Sequence, residues 1–241
     1  MYYQIVYDKG NRYPITFTMA KIAAAIFIIG TSIAMLTYPN YDHSKLYFSD
    51  LGRKKESSGW FIITLSLTAL LFIPVFIGLY QYLHDFLPAT ASRFLRLSIG
   101  TGMLSMVSLI FVGIFPANPS TKYLHNIFAG QFFIGLGVTM TSLTLVLLLY
   151  QRQMELSDRR PEDNLGFIFI PLIILFSNLS LWYSPWLQKL IVYVSLVYLL
   201  YMLERFYQIR VDKRVFYTKE RFTREEAISF DQSLVLCRIN F

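Results

Sequence analysis

The chain has 241 residues, of which 55% are hydrophobic and only 15% are charged. Soluble domains carry about 25% charged residues, so the composition excludes an ordinary soluble protein and indicates a membrane protein. The single cysteine, Cys237, excludes an intrachain disulfide and a thiolate metal cluster.

Six apolar segments follow one another along the chain. A helix needs about 20 mostly apolar residues to cross the hydrocarbon layer, and lipid cannot satisfy the exposed backbone groups of irregular structure. The predicted spans are residues 15–38, 60–84, 92–115, 124–150, 165–183 and 186–207. We therefore predict an all-α fold, an integral membrane six-helix bundle.

The distribution of lysine and arginine predicts the orientation of the bundle. Sixteen of the 22 cationic residues lie on the side that holds both termini, and six lie on the other side. Because cytoplasmic loops carry the excess of Lys and Arg, both termini are predicted to be cytoplasmic. The predicted organisation is a cytoplasmic N-terminal segment (1–14), a six-helix transmembrane domain (15–207) and a small basic cytoplasmic tail (208–241).

The cationic residues at and after the last span explain much of the net charge of +7. Arg205, Arg210, Lys213 and Arg214 lie where they can meet anionic lipid, each contributing about 1 kcal/mol. We favour this membrane-surface contact over a tail that docks a protein partner. Nucleic acid is not expected as a partner.

The polar content of the predicted spans is mild. Small and hydroxylated residues recur in spans three and four at near-helical spacing: Ser98, Thr101, Ser105, Ser108, Thr139, Thr141, Ser142 and Thr144. Such residues let helices approach and hydrogen-bond, so we favour a packing seam over a conduction path. No Asp or Glu lies in the middle of a predicted span, which disfavours a proton- or sodium-coupled transporter.

The three histidines lie on different sides of the predicted membrane. His43 and His125 are outside, whereas His84 ends span two at the inner face. This excludes a three-histidine zinc site, and we predict neither a metal nor a cofactor. A single outer haem or metal held by His43 and His125 is a weaker alternative.

Polar residues gather in the two predicted outer loops. The candidate ligand-binding residues are Asp42, His43, Ser49, Asp50, Asn118, Lys122 and His125. A carboxylate beside an imidazole can do acid–base chemistry near neutral pH, which makes Asp50 and His125 the candidate catalytic pair. The alternative that we favour is structural: Ser49 or Asp50 caps a short helix, and His125 bonds a loop carbonyl.

Two short motifs carry a resemblance to a known family. The sequence YFSDLG at 47–52, and GIFP at 113–116 followed by His125, resemble an uncharacterised prokaryotic six-span membrane family, domain of unknown function nine-nine-eight. The resemblance covers about residues 15–207, and a looser one extends to the FRAG/DRAM/Sfk group, some members of which are linked to lipid remodelling. It implies a compact bundle with an outward polar site. Asn118 stands near the place where that family often has an acid, which weakens the case for acid–base catalysis.

These observations favour a non-enzymatic multi-pass protein of the plasma membrane. It would be a lipid-associated module or an accessory subunit that contacts other membrane subunits. One alternative is an enzyme acting on lipid headgroups at the outer leaflet through Asp50 and His125. The other alternative is a small-solute transporter.

Overall fold

The computed structural model describes residues 15–84, 87–153, 160–171 and 184–208. Within these ranges the chain forms five long helices, each apolar and long enough to cross a membrane. They are α1 (Ile15–Thr37), α2 (Lys55–Leu83), α3 (Ala89–Ile114), α4 (Lys122–Gln153) and α5 (Pro185–Gln208). The residues that the structure describes contain no strand. The protein is therefore an all-helical, multi-pass membrane protein.

Five of the six predicted spans correspond to these helices, with shifted ends. Helix α2 begins at Lys55, before the first residue of the predicted span, because the helix continues out of the apolar stretch into the charged loop. The predicted span 165–183 starts instead within a 3₁₀ helix, Pro161–Ile168. Residues 172–183 lie outside the described residues, as do the N-terminal segment 1–14 and the tail from 209. The sixth span thus stays a prediction.

Helices α1 and α2 pack closely against each other as an antiparallel pair. Gly30 lies against Thr64, and Gly78 lies against Thr16 near the other end of the pair. A β-carbon at either glycine would overlap the threonine side chain. The missing side chains therefore allow the two backbones to approach at both ends, as small residues do in membrane helix pairs.

Helices α3 and α4 meet along the predicted hydroxyl seam. The Ser98 hydroxyl donates to the Thr139 carbonyl at 3.1 Å, and the Thr101 and Thr139 hydroxyls bond each other at 2.8 Å. The Ser105 hydroxyl donates to the Thr101 carbonyl at 2.8 Å, and Gly135 packs directly on Ser105. The packing interpretation is confirmed for these four residues, whereas the hydroxyl of Thr144 bonds the Tyr198 hydroxyl of α5 at 2.7 Å. This geometry gives no support to solute passage along the seam.

Candidate functional site

The loop between α1 and α2, which is predicted to be outside and is called the first outer loop on that basis, contains a 3₁₀ helix, Phe48–Gly52. This helix is held by its own acid. The Asp50 carboxylate accepts a hydrogen bond from the backbone N–H of Tyr47 at 2.8 Å and another from the guanidinium group of Arg53 at 3.0 Å. Only 6% of Asp50 is exposed. The carboxylate thus satisfies a free donor at the start of the helix, and the structural prediction for Asp50 as a cap is confirmed.

Two neighbouring residues of α5 fasten this loop to the last helix. The Gln188 side-chain oxygen accepts the Phe48 N–H at 2.8 Å. The Lys189 ammonium donates to the carbonyls of His43, at 2.7 Å, and Leu46, at 2.6 Å. We call Gln188 and Lys189 the loop clamp. The sequence offered one signal for it, two adjacent polar residues near the start of a mostly apolar span, but their partners are distant in the chain.

The beginning of the first outer loop is a polar turn. Asp42 accepts the N–H and the hydroxyl of Ser44, at 2.8 and 2.6 Å, and pairs with Lys45 at 3.4 Å. The Ser44 hydrogen bonds, ahead of the attraction of Lys45, lower the pKa of Asp42 to about 2. Any stability that this carboxylate adds to the turn is therefore complete above its ordinary pKa and is lost as the pH falls towards 2.

Tyr41 lies between this turn and the loop clamp and contacts both. The ring of Tyr41 contacts the exposed His43 edge-on at 4.9 Å, and the Lys189 ammonium lies 5.2 Å from its centre. Burial, and then repulsion by Asp50, raise the pKa of the Tyr41 phenol above its ordinary range. Its oxygen is buried without a hydrogen-bond partner among the described residues. The phenol is therefore neutral, and its oxygen is shielded from solvent.

The second outer loop uses its backbone to start α4. The Asn118 carbonyl accepts the N–H groups of Thr121, at 3.0 Å, and Lys122, at 2.7 Å, and the Thr121 hydroxyl donates to the Pro116 carbonyl. The Lys122 side chain is exposed, and that of Asn118 is half-buried. These two predicted site residues thus lie together, one turn from the next candidate, His125.

His125 is buried and bonded to the loop that precedes it. Only 4% of the residue is exposed, and Nδ1 lies 2.7 Å from the Phe115 carbonyl. Because a carbonyl can only accept, Nδ1 carries the proton. The prediction that His125 bonds a loop carbonyl is confirmed. Within the described residues, Asp50 and His125 each have their own partners and make no hydrogen bond to one another.

The two outer loops nevertheless meet above one cavity. A β-carbon at Gly52 would lie 3.4 Å from Pro116 Cβ, so the loops touch there. Beneath them is a cavity of about 40 Å³, whose polar side chains are Ser49, His125 and Gln188 and whose other walls are apolar. We call it the outer cavity. The structure thus brings Ser49 and His125 together, whereas Asp42 and His43 lie at the turn and Asn118 and Lys122 at the start of α4.

The described residues offer little for a metal ion. Across the ranges that the structure covers, no three His, Cys, Asp or Glu side chains come together. His43 is exposed at the turn, whereas His125 is buried against the second loop. A ligand held jointly by these two histidines stays a prediction.

A second polar cluster, at the other end of the bundle, was not predicted. Asp163, on the 3₁₀ helix Pro161–Ile168, has no exposed surface. Its carboxylate accepts from Gln151 at 2.7 Å, from the Tyr201 hydroxyl at 2.7 Å and from the Arg160 N–H at 3.1 Å. We call this the inner carboxylate cluster. It joins α4, α5 and the loop between them, although the sequence places Asp163 in a charged linker.

Comparison with known proteins gives a family but no relative of established activity. No curated protein and no solved structure is significantly similar to the chain. The family described as "Protein of unknown function (DUF998)" matches residues 21–204, which include all the outer and inner polar groups described above. The chain therefore belongs to the DUF998 family of membrane proteins.

Proposed function

We propose that the protein is a non-enzymatic, lipid-associated module of the plasma membrane. The observation that carries this proposal is the use of the outer polar groups. Asp50 caps its own helix, His125 holds the second loop, and the loop clamp holds the first loop. These hydrogen bonds give each group a structural role that accounts for its position in the fold.

The lipid contacts would be made by the outer residues that have no such role. Lys122 and His43 are exposed, and the Asn118 side chain is half-buried beside Lys122. A cation beside an amide suits an anionic or zwitterionic headgroup.

The experiment is purification of the chain in nanodiscs, followed by mass spectrometry of the lipids and proteins that stay bound. We expect one lipid class to be enriched and its retention to fall several-fold in the double variant Lys122→Gln/His43→Ala. The matched control is Lys45→Gln, which removes an exposed cation that is already paired with Asp42. Equal lipid retention in the parent chain, the double variant and the control would contradict a lipid site at these outer residues. Partner proteins that stay bound in stoichiometric amounts would identify an accessory subunit instead.

The competing function is a headgroup enzyme that uses Asp50 and His125. One observation favours it, because His125 and Ser49 line the same outer cavity. Alanine substitutions at Asp50 and His125 separate the two functions. We expect both variants to unfold at lower temperature than the parent chain, since each takes a hydrogen-bond partner from a half-buried backbone group. Variants of undiminished stability that lose a lipid-modifying activity would establish the enzyme.

The proposal includes six spans with both termini in the cytoplasm. The single Cys237 tests it directly, since it lies in the predicted tail. An impermeant maleimide should label Cys237 only after the membrane is permeabilised. In a Cys237→Ser background, Ser44→Cys should be labelled in intact cells, because Ser44 is exposed in the first outer loop. Labelling of Cys237 in intact cells would mean that the predicted orientation or the predicted number of spans is wrong.

Contact of the basic tail with anionic lipid is the last part of the proposal. Arg210, Lys213 and Arg214 lie outside the described residues, and Arg205 is 1% exposed. Arg210, Lys213 and Arg214 would therefore make the contact with anionic lipid. Retention of anionic lipid in the nanodisc experiment should fall when these three are changed to glutamine.

A further inference from the structure

A second cavity lies deeper in the bundle than the outer cavity. It has a volume of about 40 Å³ and is bounded by apolar side chains from all five helices, with two exceptions. The exceptions are Thr68, near the middle of α2, and Ser195, near the middle of α5. We call it the central cavity. Its polar groups thus lie at the depth where lipid is driest.

The hydroxyls of Thr68 and Ser195 are both buried and unpartnered. The residues are 3% and 2% exposed, and neither Oγ1 of Thr68 nor Oγ of Ser195 has a hydrogen-bond partner among the described residues. Hydroxyls in other helices of the bundle bond to a carbonyl one turn earlier, as Thr31, Thr101, Ser108 and Thr144 do. That option is open to any helical Ser or Thr. Two departures from it, at residues that line one cavity from separate helices, indicate a shared partner.

The size of the central cavity limits what the partner can be. By the same measure a water molecule needs about 10–15 Å³, and cavities that take up benzene are about 150 Å³. A volume of about 40 Å³ therefore admits a few water molecules but neither an organic ring nor a lipid chain. Each hydroxyl can donate and accept, and a buried water makes about three hydrogen bonds. A small water cluster therefore suits both the volume and the polar groups.

The central cavity adjoins the outer cavity. The two cavities share four lining residues, Phe27, Leu109, Phe132 and Val192. The outer cavity lies directly beneath the loops, so a displacement of these four shared side chains would connect the central cavity to the outer end of the bundle.

We propose that the central cavity is a water site in which a small cluster of water molecules joins the hydroxyl of Thr68 on α2 to that of Ser195 on α5. The cluster is a bridge between an early helix and the last one. It is independent of the lipid-binding role, since no outer loop residue takes part in it.

Radiolytic footprinting of the full chain in nanodiscs tests this site. Hydroxyl radicals form wherever water is bound, and methionine sulfur is oxidised readily to the sulfoxide. Met106 and Met140 line the central cavity, and Met202 is equally buried but does not line it. We expect oxidation of Met106 and Met140 to exceed that of Met202 several-fold, although all three are shielded from bulk solvent.

The double variant Thr68→Val/Ser195→Ala should remove this excess oxidation, because it leaves the water no polar partner. The single variants serve the same purpose if the double variant does not fold. Ser108→Ala is the matched control, since its hydroxyl bonds the Leu104 carbonyl and does not line the cavity. The proposal would be overturned if Met106 and Met140 were oxidised no faster than Met202. It would also be overturned if the variants did not change the oxidation of Met106 and Met140.

The direction of the change in stability gives a second test. Thr68→Val removes a hydroxyl at nearly constant volume. If water bridges the two hydroxyls, the variant loses hydrogen bonds and its unfolding temperature in detergent falls. A rise in the unfolding temperature would overturn the proposal, since it would mean that a dry, unpaired hydroxyl had been removed.

Discussion

Replacing Asp163 with alanine is expected to lower the free energy of unfolding by about 3 kcal/mol or more, the largest effect of any single change considered. Three donors converge on this buried carboxylate, and hydrogen bonds to charged groups contribute about 1.5–3 kcal/mol each. Removal of the acceptor takes one hydrogen-bond partner from each of three groups, the Gln151 amide, the Tyr201 hydroxyl and the Arg160 N–H. Thermal unfolding and size-exclusion behaviour of the purified protein measure the loss.

The neighbouring acid supplies a matched control for this prediction. Glu162 lies on the same 3₁₀ helix and is exposed, so Glu162→Ala should unfold at the parent temperature. Asp163→Asn keeps the shape of the side chain and one acceptor oxygen. We expect its unfolding temperature to lie between those of the parent chain and the alanine variant. If Asp163→Ala and Glu162→Ala behave alike, the inner carboxylate cluster does not support the bundle.

Replacing Lys189 with methionine is expected to release the first outer loop at a cost of about 2–3 kcal/mol. The ammonium donates to two backbone carbonyls, and a methionine of similar length leaves both unpaired. A cation near the start of a helix is also unfavourable towards the helix dipole. The position of Lys189 is therefore explained by the carbonyls and the Tyr41 ring, and nothing in the helix itself favours it.

Hydrogen exchange of the loop measures this release. We expect faster exchange of the amides of Leu46, Phe48 and Asp50 in Lys189→Met, because these N–H groups lie in or beside the clamped segment. Lys122→Met is the control, since Lys122 is an exposed lysine of the other outer loop. Unchanged exchange in Lys189→Met would mean that Gln188 alone holds the loop.

The sequence predicted the class of fold because apolar length is a local property. Five spans appear within a few residues of their predicted positions, with α2 displaced most because charged residues can extend a helix beyond the lipid. The hydroxyl seam was also predictable, since small residues at helical spacing have few other uses in a membrane. The motif YFSDLG at 47–52 contains the 3₁₀ helix and the acid, Asp50, that caps it. This gives a physical reason for the pattern of residues in the motif.

The groups that the sequence did not identify are those whose partners lie far away in the chain. Asp163 follows a run of charges and a proline, which is the usual pattern of an exposed linker, yet it is completely buried. Lys189 was counted as an outer cation for orientation, and its partners are more than 140 positions earlier. Charge and spacing identify the side chain, but burial depends on which helices become neighbours. A single sequence does not contain that information in readable form.

The loop clamp has a consequence for how the chain is assembled as it is made. The loop after the first helix is synthesised early, but the residues that lock it belong to the last helix, 140 positions later. Chains emerge from the ribosome N-terminus first, so the early hairpin must wait, inserted but unlocked, until the final helix arrives. Synthesis of α5 thereby becomes a condition for closing the outer face. A chain truncated before α5 would present a loose loop that cellular quality control can recognise.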